Sequence, residues 1–158
     1  MRIGIGYDIH PFQRERPLVL GGVRIDHEAG LAGHSDADVL CHALIDAVLG
    51  AAALGDIGEM FPDSDPGNRG RDSGEMLQAA WRKVAELGFR IINVDCIVLA
   101  QNPKLSPYKE SIRQRIAQLL ELPRDCVGIK AKTGEAVGPV GRQEAIVAES
   151  VVLLDRTA

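Results

Sequence analysis

An aspartate and two histidines could form a metal site in this chain of 158 residues. Asp8 and His10 lie two positions apart in RIGIGYDIHP, whose alternating pattern predicts a β-strand. Side chains two apart on a strand point to the same face, so these two side chains share one side of it. His42 lies in a predicted helix, at the edge of its apolar stripe. One carboxylate and two imidazoles with an open fourth position suit catalytic Zn²⁺, and they also suit Mn²⁺ or Fe²⁺.

Chance placement is the alternative interpretation of these three residues. An aspartate and a histidine two apart are common in strands, and a helical histidine is often an ordinary core or surface residue. Spacing alone leaves both interpretations open. If the metal site exists, Asp46 lies one helical turn beyond His42 and is expected to orient its ring.

Other ligand-binding motifs match poorly. The acidic residues 63–65 suggest calcium, but an EF-hand needs glycine where Asn68 stands and glutamate where Gly74 stands. A solvated loop is therefore the interpretation from the residues alone. The sequence contains neither GxGxxG nor GxxxxGK[ST], so a dinucleotide fold or a P-loop is not supported.

Composition excludes several classes of protein. A formal net charge of −4 argues against a nucleic-acid partner, since such proteins carry a basic field. No apolar run approaches the roughly 18 residues of a membrane span. Cys41, Cys96 and Cys126 are odd in number and widely spaced, which favours small buried residues over a disulfide or thiolate site. The first residues lack a signal-peptide pattern, so the expected location is the cytoplasm, with no targeting segment.

The elements expected around the three residues form one domain over residues 1–158. In the first strand, Ile3, Ile5, Tyr7 and Ile9 are expected to pack, while the glycine face stays bare and Pro11 ends the strand. A hairpin then follows around residues 21–22, before a helix that is expected to begin at the N-cap Ser35 and to end near Ala53.

A polar loop and a regular alternation of helices and strands complete the prediction. A second helix is capped by Asp72 or Ser73, and Ser106 opens a third as its N-cap. IINVDCIVLA, VGIKAKT and AIVAESVVLL are the remaining strands. This order predicts an α+β two-layer sandwich, with a mainly four-stranded mixed sheet and helices on one face. An identical subunit is expected to cover the other face.

Longer segments resemble one known family. GIGYDIHPF, LGGVRI, GLAGHSDADVLCHALIDAVLGAAALGDIGEMFPDSDP, NVDCIVLAQNPKLSPY and GIKAKTGEAVGPVGRQEAI are similar to segments of the 2-C-methyl-D-erythritol 2,4-cyclodiphosphate synthases of the non-mevalonate isoprenoid pathway. The resemblance covers essentially the whole chain. It implies a phosphorus–oxygen lyase that converts 4-diphosphocytidyl-2-C-methyl-D-erythritol 2-phosphate to the cyclic diphosphate and CMP. The 2-phosphate would attack the β-phosphate of the same molecule.

The resemblance also implies two metal ions and a set of catalytic residues. Zinc, or another divalent transition metal, would be held by Asp8, His10 and His42, and Mg²⁺ or Mn²⁺ on the substrate diphosphate by Glu135. The implied catalytic residues are Asp8, His10, His34, His42, Thr133 and Glu135. His34 and Ser35 are expected at a helix N-terminus, where backbone N–H groups attract anions.

Three groups of substrate-binding residues follow from the resemblance. The methylerythritol and its phosphate would contact His34, Ser35, Asp56, Ile57, Gly58, Phe61, Pro62, Asp63, Ser64 and Asp65, the later ones as a mobile lid. The cytidine side would contact Ala100, Gln101, Asn102, Pro103, Lys104, Leu105 and Ser106. The adjoining phosphate-binding run is Lys132, Thr133, Gly134 and Glu135.

Family members are homotrimers with each site between neighbouring subunits, and some bind an isoprenoid diphosphate in a central channel. Arg142 could hold such a diphosphate. Pro139 stands where some members have phenylalanine, which weakens the wall for an apolar tail. Lys132 and Gly134 stand in a run that is threonine-rich in many members. Lys132 either adds charge near the phosphates or points outward.

Two other functions remain open from the sequence. A zinc phosphohydrolase would use the same site with water as nucleophile, although no second metal cluster or water-activating base is evident. A trimeric binding module would not need Asp8, His10 and His42 to converge on one point.

Overall fold

A five-stranded mixed sheet carries most of the chain, which a computed structural model describes over residues 1–157. Its strand order is β4-β1-β7-β5-β6, with β5 and β6 parallel and the other neighbours antiparallel. Four strands are long and β4 has three residues, so the expected sheet is confirmed. The strands are β1 (Arg2–Arg14), β4 (Ala29–Leu31), β5 (Phe89–Leu99), β6 (Val127–Lys132) and β7 (Ala145–Arg156). A separate hairpin pairs β2 (Leu18–Leu20) with β3 (Val23–Ile25), as its sequence predicts.

The longer helices cover one face of this sheet. Among them α1 is apolar almost all round, and it lies against β1, β7 and the third helix. The helices are α1 (Val39–Ala52), α2 (Ile57–Met60), α3 (Ser73–Ala85), α4 (Lys109–Leu119) and α5 (Gly138–Gly141). Within residues 1–157, no helix has the length and apolar character needed to cross a bilayer. Cys41 and Cys96 are buried and Cys126 is half-buried, all three as free thiols.

Two glycines let α1 approach β1 closely. A Cβ atom at Gly6 would overlap the carbonyl oxygen of Ala43, and one at Gly4 would overlap that of Ala47. The backbone of α1 therefore rests directly on the strand, which no larger residue would permit. Because Asp8 lies two residues after Gly6 on the same face, this contact brings His42, the neighbour of Ala43, close to it.

The apolar face of β1 is exposed within the chain, so the expectation that it packs in the chain's own core is wrong. Ile3 and Ile5 are 71% and 72% exposed, Tyr7 is 54% exposed and Ile9 is 40% exposed. The glycine face packs instead, because the helix backbone needs its missing side chains. A row of exposed apolar side chains on one sheet face is typical of a surface that another protein chain covers.

Several element boundaries differ from the predictions. Asp38, rather than Ser35, caps α1, because its buried carboxylate accepts N–H groups from both α1 and the β2–β3 hairpin. Strand β1 continues through Pro11, whose carbonyl accepts the Ala32 N–H where β1 turns from β7 to β4. Ser106 begins a 3₁₀ turn with no side-chain cap, and α4 starts at Lys109. Asp72 caps α3 as predicted, accepting the Glu75 N–H at 3.0 Å.

Candidate metal centre and substrate cleft

Asp8, His10 and His42 converge on one point where β1 meets α1. His10 Nε2 lies 2.9 Å from Asp8 Oδ2, His42 Nδ1 lies 3.0 Å from the same oxygen, and the two nitrogens are 3.1 Å apart. Ligands of a tetrahedral zinc ion with ordinary bond lengths are separated by about 3.3 Å. The three atoms therefore form one face of a tetrahedron close to the size that zinc requires.

The proton position on His10 and the orientation of His42 favour a cation between the two rings. The other nitrogen of His10, Nδ1, lies against the Ala32 carbonyl, which can only accept, so Nδ1 carries the proton and Nε2 is bare in the neutral ring. Nδ1 of His42 faces the same point beside the Asp8 carboxylate. The donor set is one carboxylate oxygen and two imidazole nitrogens, and the second nitrogen of the His10 ring is held by the Ala32 carbonyl. Divalent transition metals are commonly bound by such a set.

The electrostatics make Asp8 an anionic ligand. Burial alone would raise its pKa, but the hydrogen bonds and positive charges that His10 and His42 offer when protonated outweigh burial and hold the pKa far below its usual range. Burial alone would lower the pKa of His10, but its hydrogen bond to Asp8 and the charge of that carboxylate raise it overall. Asp8 thus holds a negative charge that stabilises a cation at the two imidazole nitrogens.

Two serines, rather than Asp46, contact Nε2 of His42, the ring nitrogen that faces away from Asp8. Nε2 lies 3.0 Å from Ser35 Oγ and 2.9 Å from Ser73 Oγ. The expectation that Asp46 orients the ring is wrong, because Asp46 Oδ1 accepts the Ile57 N–H at 2.8 Å. Burial raises the pKa of Asp46. This carboxylate secures the start of α2, one wall of the cleft.

A cleft of about 420 Å³ opens above the cluster. Most of the residues expected to hold the methylerythritol end of the substrate line it together with the three candidate ligands. The predicted residues in its wall are Asp8, His10, His34, Ser35, His42, Ile57, Gly58, Phe61, Pro62 and Asp63, joined by Gly33, Asn68 and Met76.

The remaining residues of this loop lie beside the cleft. Asp56 caps α2 by accepting the Glu59 N–H at 2.9 Å. Ser64 and Asp65 line a neighbouring pocket that shares His34 and Asp63 with the cleft. His34 Nδ1 is 3.4 Å from Asp63 Oδ2, which joins the two sides of the opening.

His34 and Ser35 do not stand at a helix N-terminus as expected. Helix α1 begins only at Val39, and the Asp38 carboxylate occupies its first N–H groups. The Ser35 hydroxyl is buried and accepts the Ala37 N–H at 3.0 Å. The imidazole of His34, in contrast, is exposed at the cleft mouth and can meet an anion directly.

The predicted nucleotide residues form a second group, at the carboxyl ends of β5 and β6. The Ala100 N–H donates to the Lys132 carbonyl at 2.9 Å, and Thr133 Oγ1 donates to Glu135 Oε1 at 2.8 Å. Thr133, Gly134 and Glu135 line a separate cavity of about 460 Å³ with Tyr7 and Ile9, on the exposed face of β1. One chain therefore does not bring Glu135 into the cleft of the three-residue cluster.

Other members of this second group surround the same strand ends. Gln101 Oε1 accepts the Ala136 N–H at 3.4 Å, and Asn102 donates to Gln143 at 2.8 Å. Leu105 is buried, while Lys132 is exposed. Pro103 lies half-buried in this loop, and Lys104 and Ser106 are exposed in it. The Arg142 guanidinium donates two hydrogen bonds to Glu144, from Nε to Oε1 at 2.8 Å and from Nη2 to Oε2 at 3.1 Å.

Sequence reasoning missed the residues that surround His42. Ser73 had been considered only as a helix cap, and Asp36 had no assigned role, yet Ser73 Oγ donates to Asp36 and also contacts His42. Their sequence signal is weak, because a serine and an aspartate near helix starts are usually caps. Only the packing of the α3 start against α1 reveals the contact.

Comparisons with known proteins agree on one family. A model described as the YgbB family matches residues 1–155. The 2-C-methyl-D-erythritol 2,4-cyclodiphosphate synthase of Bacillus cereus (strain ATCC 10987 / NRS 248) is 52% identical over 155 residues, which cover 98% of each chain. The bifunctional IspDF from Campylobacter jejuni superposes with a TM-score of 0.95 at 46% identity, and this chain spans 98% of its own length and 42% of that chain. The IspF–CDP complex of Plasmodium falciparum gives a TM-score of 0.87 at 34% identity, with 99% and 97% covered.

Proposed function

This chain belongs to the YgbB family, and from that membership we propose that it acts as a 2-C-methyl-D-erythritol 2,4-cyclodiphosphate synthase. Its substrate is 4-diphosphocytidyl-2-C-methyl-D-erythritol 2-phosphate. An oxygen of the 2-phosphate forms a bond to the β-phosphorus, and the bond from that phosphorus to the oxygen shared with the α-phosphate breaks. CMP leaves with the bridging oxygen and its electron pair, and the cyclic diphosphate remains.

The protein has little covalent chemistry to perform in this reaction. The 2-phosphate is already an anion, so no strong base is needed, and both reacting groups belong to one molecule. The rate enhancement must come from holding the substrate folded and from neutralising its charge. The cleft supplies both, since its floor is a cation-binding cluster and its walls contact the methylerythritol.

Asp8, His10 and His42 would hold a zinc ion, or another divalent transition metal, at the floor of the cleft. When bound, such an ion acts as a Lewis acid that polarises and orients a phosphate oxygen. The chain itself contributes the Asp8 charge, the fixed direction of the His10 ring, which the Ala32 carbonyl sets, and the exposed imidazole of His34 at the cleft mouth.

Residues 61–65 act as the lid over the methylerythritol in this proposal. Phe61 is only 8% exposed, and the Arg71 guanidinium lies 5.0 Å from its ring centre. Asn68, also buried, donates to the Pro62 carbonyl at 3.0 Å and braces the loop from below. A braced apolar wall beside the cluster excludes water, which would otherwise compete as a nucleophile.

The nucleotide end would bind on a neighbouring subunit of a homotrimer. Glu135, proposed as the ligand of Mg²⁺ or Mn²⁺, and Thr133, proposed as a phosphate contact, lie on the exposed apolar face of β1, away from the cleft of their own chain. If this face packs against a second copy, residues 100–106 and 132–135 of one chain can complete the cleft of the next. Arg142 would then face the trimer axis. Binding of an isoprenoid diphosphate there stays a prediction, and Pro139 offers no aromatic wall for its apolar tail. The cytoplasmic location also stays a prediction.

The convergence of Asp8, His10 and His42 within about 3 Å of one another beneath the cleft is the observation that carries this proposal. It suits a cyclase and a zinc phosphohydrolase equally, so turnover in ¹⁸O-labelled water separates them. Cyclisation leaves ¹⁸O out of both products, whereas hydrolysis places one ¹⁸O atom in a product, as mass spectrometry of CMP and the diphosphate would reveal. One ¹⁸O atom per turnover would overturn the cyclase proposal.

A further inference from the structure

We propose that Asp36 and Ser73 are positioning residues that fix the proton of His42 on Nε2 and so keep Nδ1 free to bind a metal ion. The inference deepens the proposed function, on whose metal site it rests. Neither residue lines the floor formed by the three candidate ligands. Both act through the ring of His42, whose Nε2 faces Ser73 and whose Nδ1 faces Asp8 and His10.

Asp36 determines the direction of the Ser73 hydroxyl. Ser73 is fully buried, and its Oγ and N–H both face the Asp36 carboxylate, with the N–H at 3.1 Å from Oδ2. A carboxylate accepts hydrogen bonds, so the one hydroxyl proton of Ser73 points at Asp36. The Ser73 oxygen then presents only lone pairs in its remaining directions.

The oriented serine in turn selects one tautomer of His42. Ser73 Oγ lies 2.9 Å from His42 Nε2, and this contact is a hydrogen bond only if the nitrogen donates, since the serine has already donated its own proton. The Ser35 hydroxyl lies 3.0 Å from the same nitrogen and 3.3 Å from Ser73 Oγ, so its proton can go to the Ser73 oxygen. With the proton on Nε2, the neutral ring has a bare Nδ1. That nitrogen is the atom 3.0 Å from Asp8 Oδ2 and 3.1 Å from His10 Nε2.

The positions of both residues are fixed by the backbone around them. The Asp36 N–H donates to the Arg71 carbonyl at 3.1 Å, and Asp36 Oδ1 accepts the Asp38 N–H at 3.2 Å. Ser73 is the first residue of α3, directly after its cap Asp72. Helices α1 and α3 thus meet at this pair, and a rigid frame of this kind is what orients metal-binding imidazoles in proteins.

Two measurements on the full-length protein test the inference. Zinc affinity, from competition with a chromophoric chelator, is expected to fall about 10- to 100-fold in Ser73→Ala and about tenfold in Asp36→Asn, which keeps the size of the side chain. Long-range ¹H–¹⁵N NMR of the metal-free protein is expected to show the His42 proton on Nε2 in the wild type and a shift toward Nδ1 in Ser73→Ala.

Ser150→Ala is the matched control, because Ser150 is equally buried but donates to Cys96 Sγ instead of contacting the cluster. It should keep the zinc affinity and the tautomer of the wild type. Equal zinc affinities in the folded Ser73→Ala and Ser150→Ala proteins, or a wild-type His42 protonated on Nδ1, would overturn the inference. If wild-type protein binds no zinc, the proposed metal site fails, and the tautomer in metal-free protein still decides the positioning role.

Discussion

His10 Nε2 lies 3.1 Å from His42 Nδ1, and each of these nitrogens also lies within 3.0 Å of one oxygen of Asp8. Two bare imidazole nitrogens that close together repel each other unless a proton or a cation lies between them. Residues 32 positions apart in sequence are held in this arrangement by the contact of α1 with the glycine face of β1. The packing of α1 on β1 therefore brings the three side chains of the cluster together.

Replacing His42 by alanine should abolish zinc retention and turnover while the fold and the subunit assembly persist. The side chain supplies one of three ligands, and two ligands on a strand do not hold the ion tightly. Metal analysis of dialysed protein and size-exclusion chromatography with light scattering measure both effects. His27→Ala is the control, since His27 contacts Phe12 and the Ala29 carbonyl outside the cluster. One zinc per chain and normal turnover in His42→Ala would show that the metal assignment is wrong.

Replacing Gly6 by alanine should destabilise the protein strongly, because the new Cβ atom overlaps the Ala43 carbonyl oxygen. We expect the loss near or above the upper end of the roughly 1–3 kcal/mol that overpacking costs. Gly50→Ala is the matched control, since a Cβ atom there meets nothing within 4 Å, and it should gain roughly 0.5–1 kcal/mol from helix propensity. Urea titrations at one fixed protein concentration compare the two. Equal stabilities would mean that α1 does not rest directly on β1.

Replacing Ile5 by aspartate should break the subunit assembly without unfolding the chain. Ile5 is 72% exposed in the single chain, so a charge there costs little in the monomer but much in a packed interface. Leu87→Asp is the control, because Leu87 is 50% exposed but lies just beyond the end of α3 rather than on β1. Sedimentation velocity should show a trimer for the wild type and Leu87→Asp, and a monomer for Ile5→Asp. A trimer in all three would place the interface elsewhere.

Mixing two inactive variants should restore activity if each site lies between subunits. His42→Ala lacks a ligand of the cluster, and Glu135→Gln lacks the proposed magnesium ligand on the other face of the sheet. Random trimers from an equal mixture, unfolded and refolded together, leave about one site in four with both residues intact. Each variant refolded alone is the control. A mixture that stays as inactive as its components would indicate that both residues act within one chain.

The sheet, the hairpin and the convergence of the three candidate metal ligands could be predicted because local patterns encode them. The alternation in β1 places Asp8 and His10 on one face, and the helical pattern places His42 at the edge of an apolar stripe. The resemblance implies the same three residues. The pattern could not tell which face of β1 packs inside the chain, since the isoleucines that suggest a core are exposed and Gly6 contacts α1. The partners of His42 were missed for a related reason. Ser73 contacts the His42 ring only because two helices pack together, and the spacing of residues in the sequence does not predict that contact.

A phosphorus NMR time course with the diphosphocytidyl methylerythritol phosphate substrate and Mg²⁺ tests the central claim most directly. It would compare zinc-loaded protein, chelator-treated protein and chelator-treated protein given zinc again. The account predicts that cyclic diphosphate and CMP signals appear together in the first sample, are lost in the second and return in the third. Persistence of the substrate in the zinc-loaded protein, or equal turnover in the zinc-free protein, would contradict it.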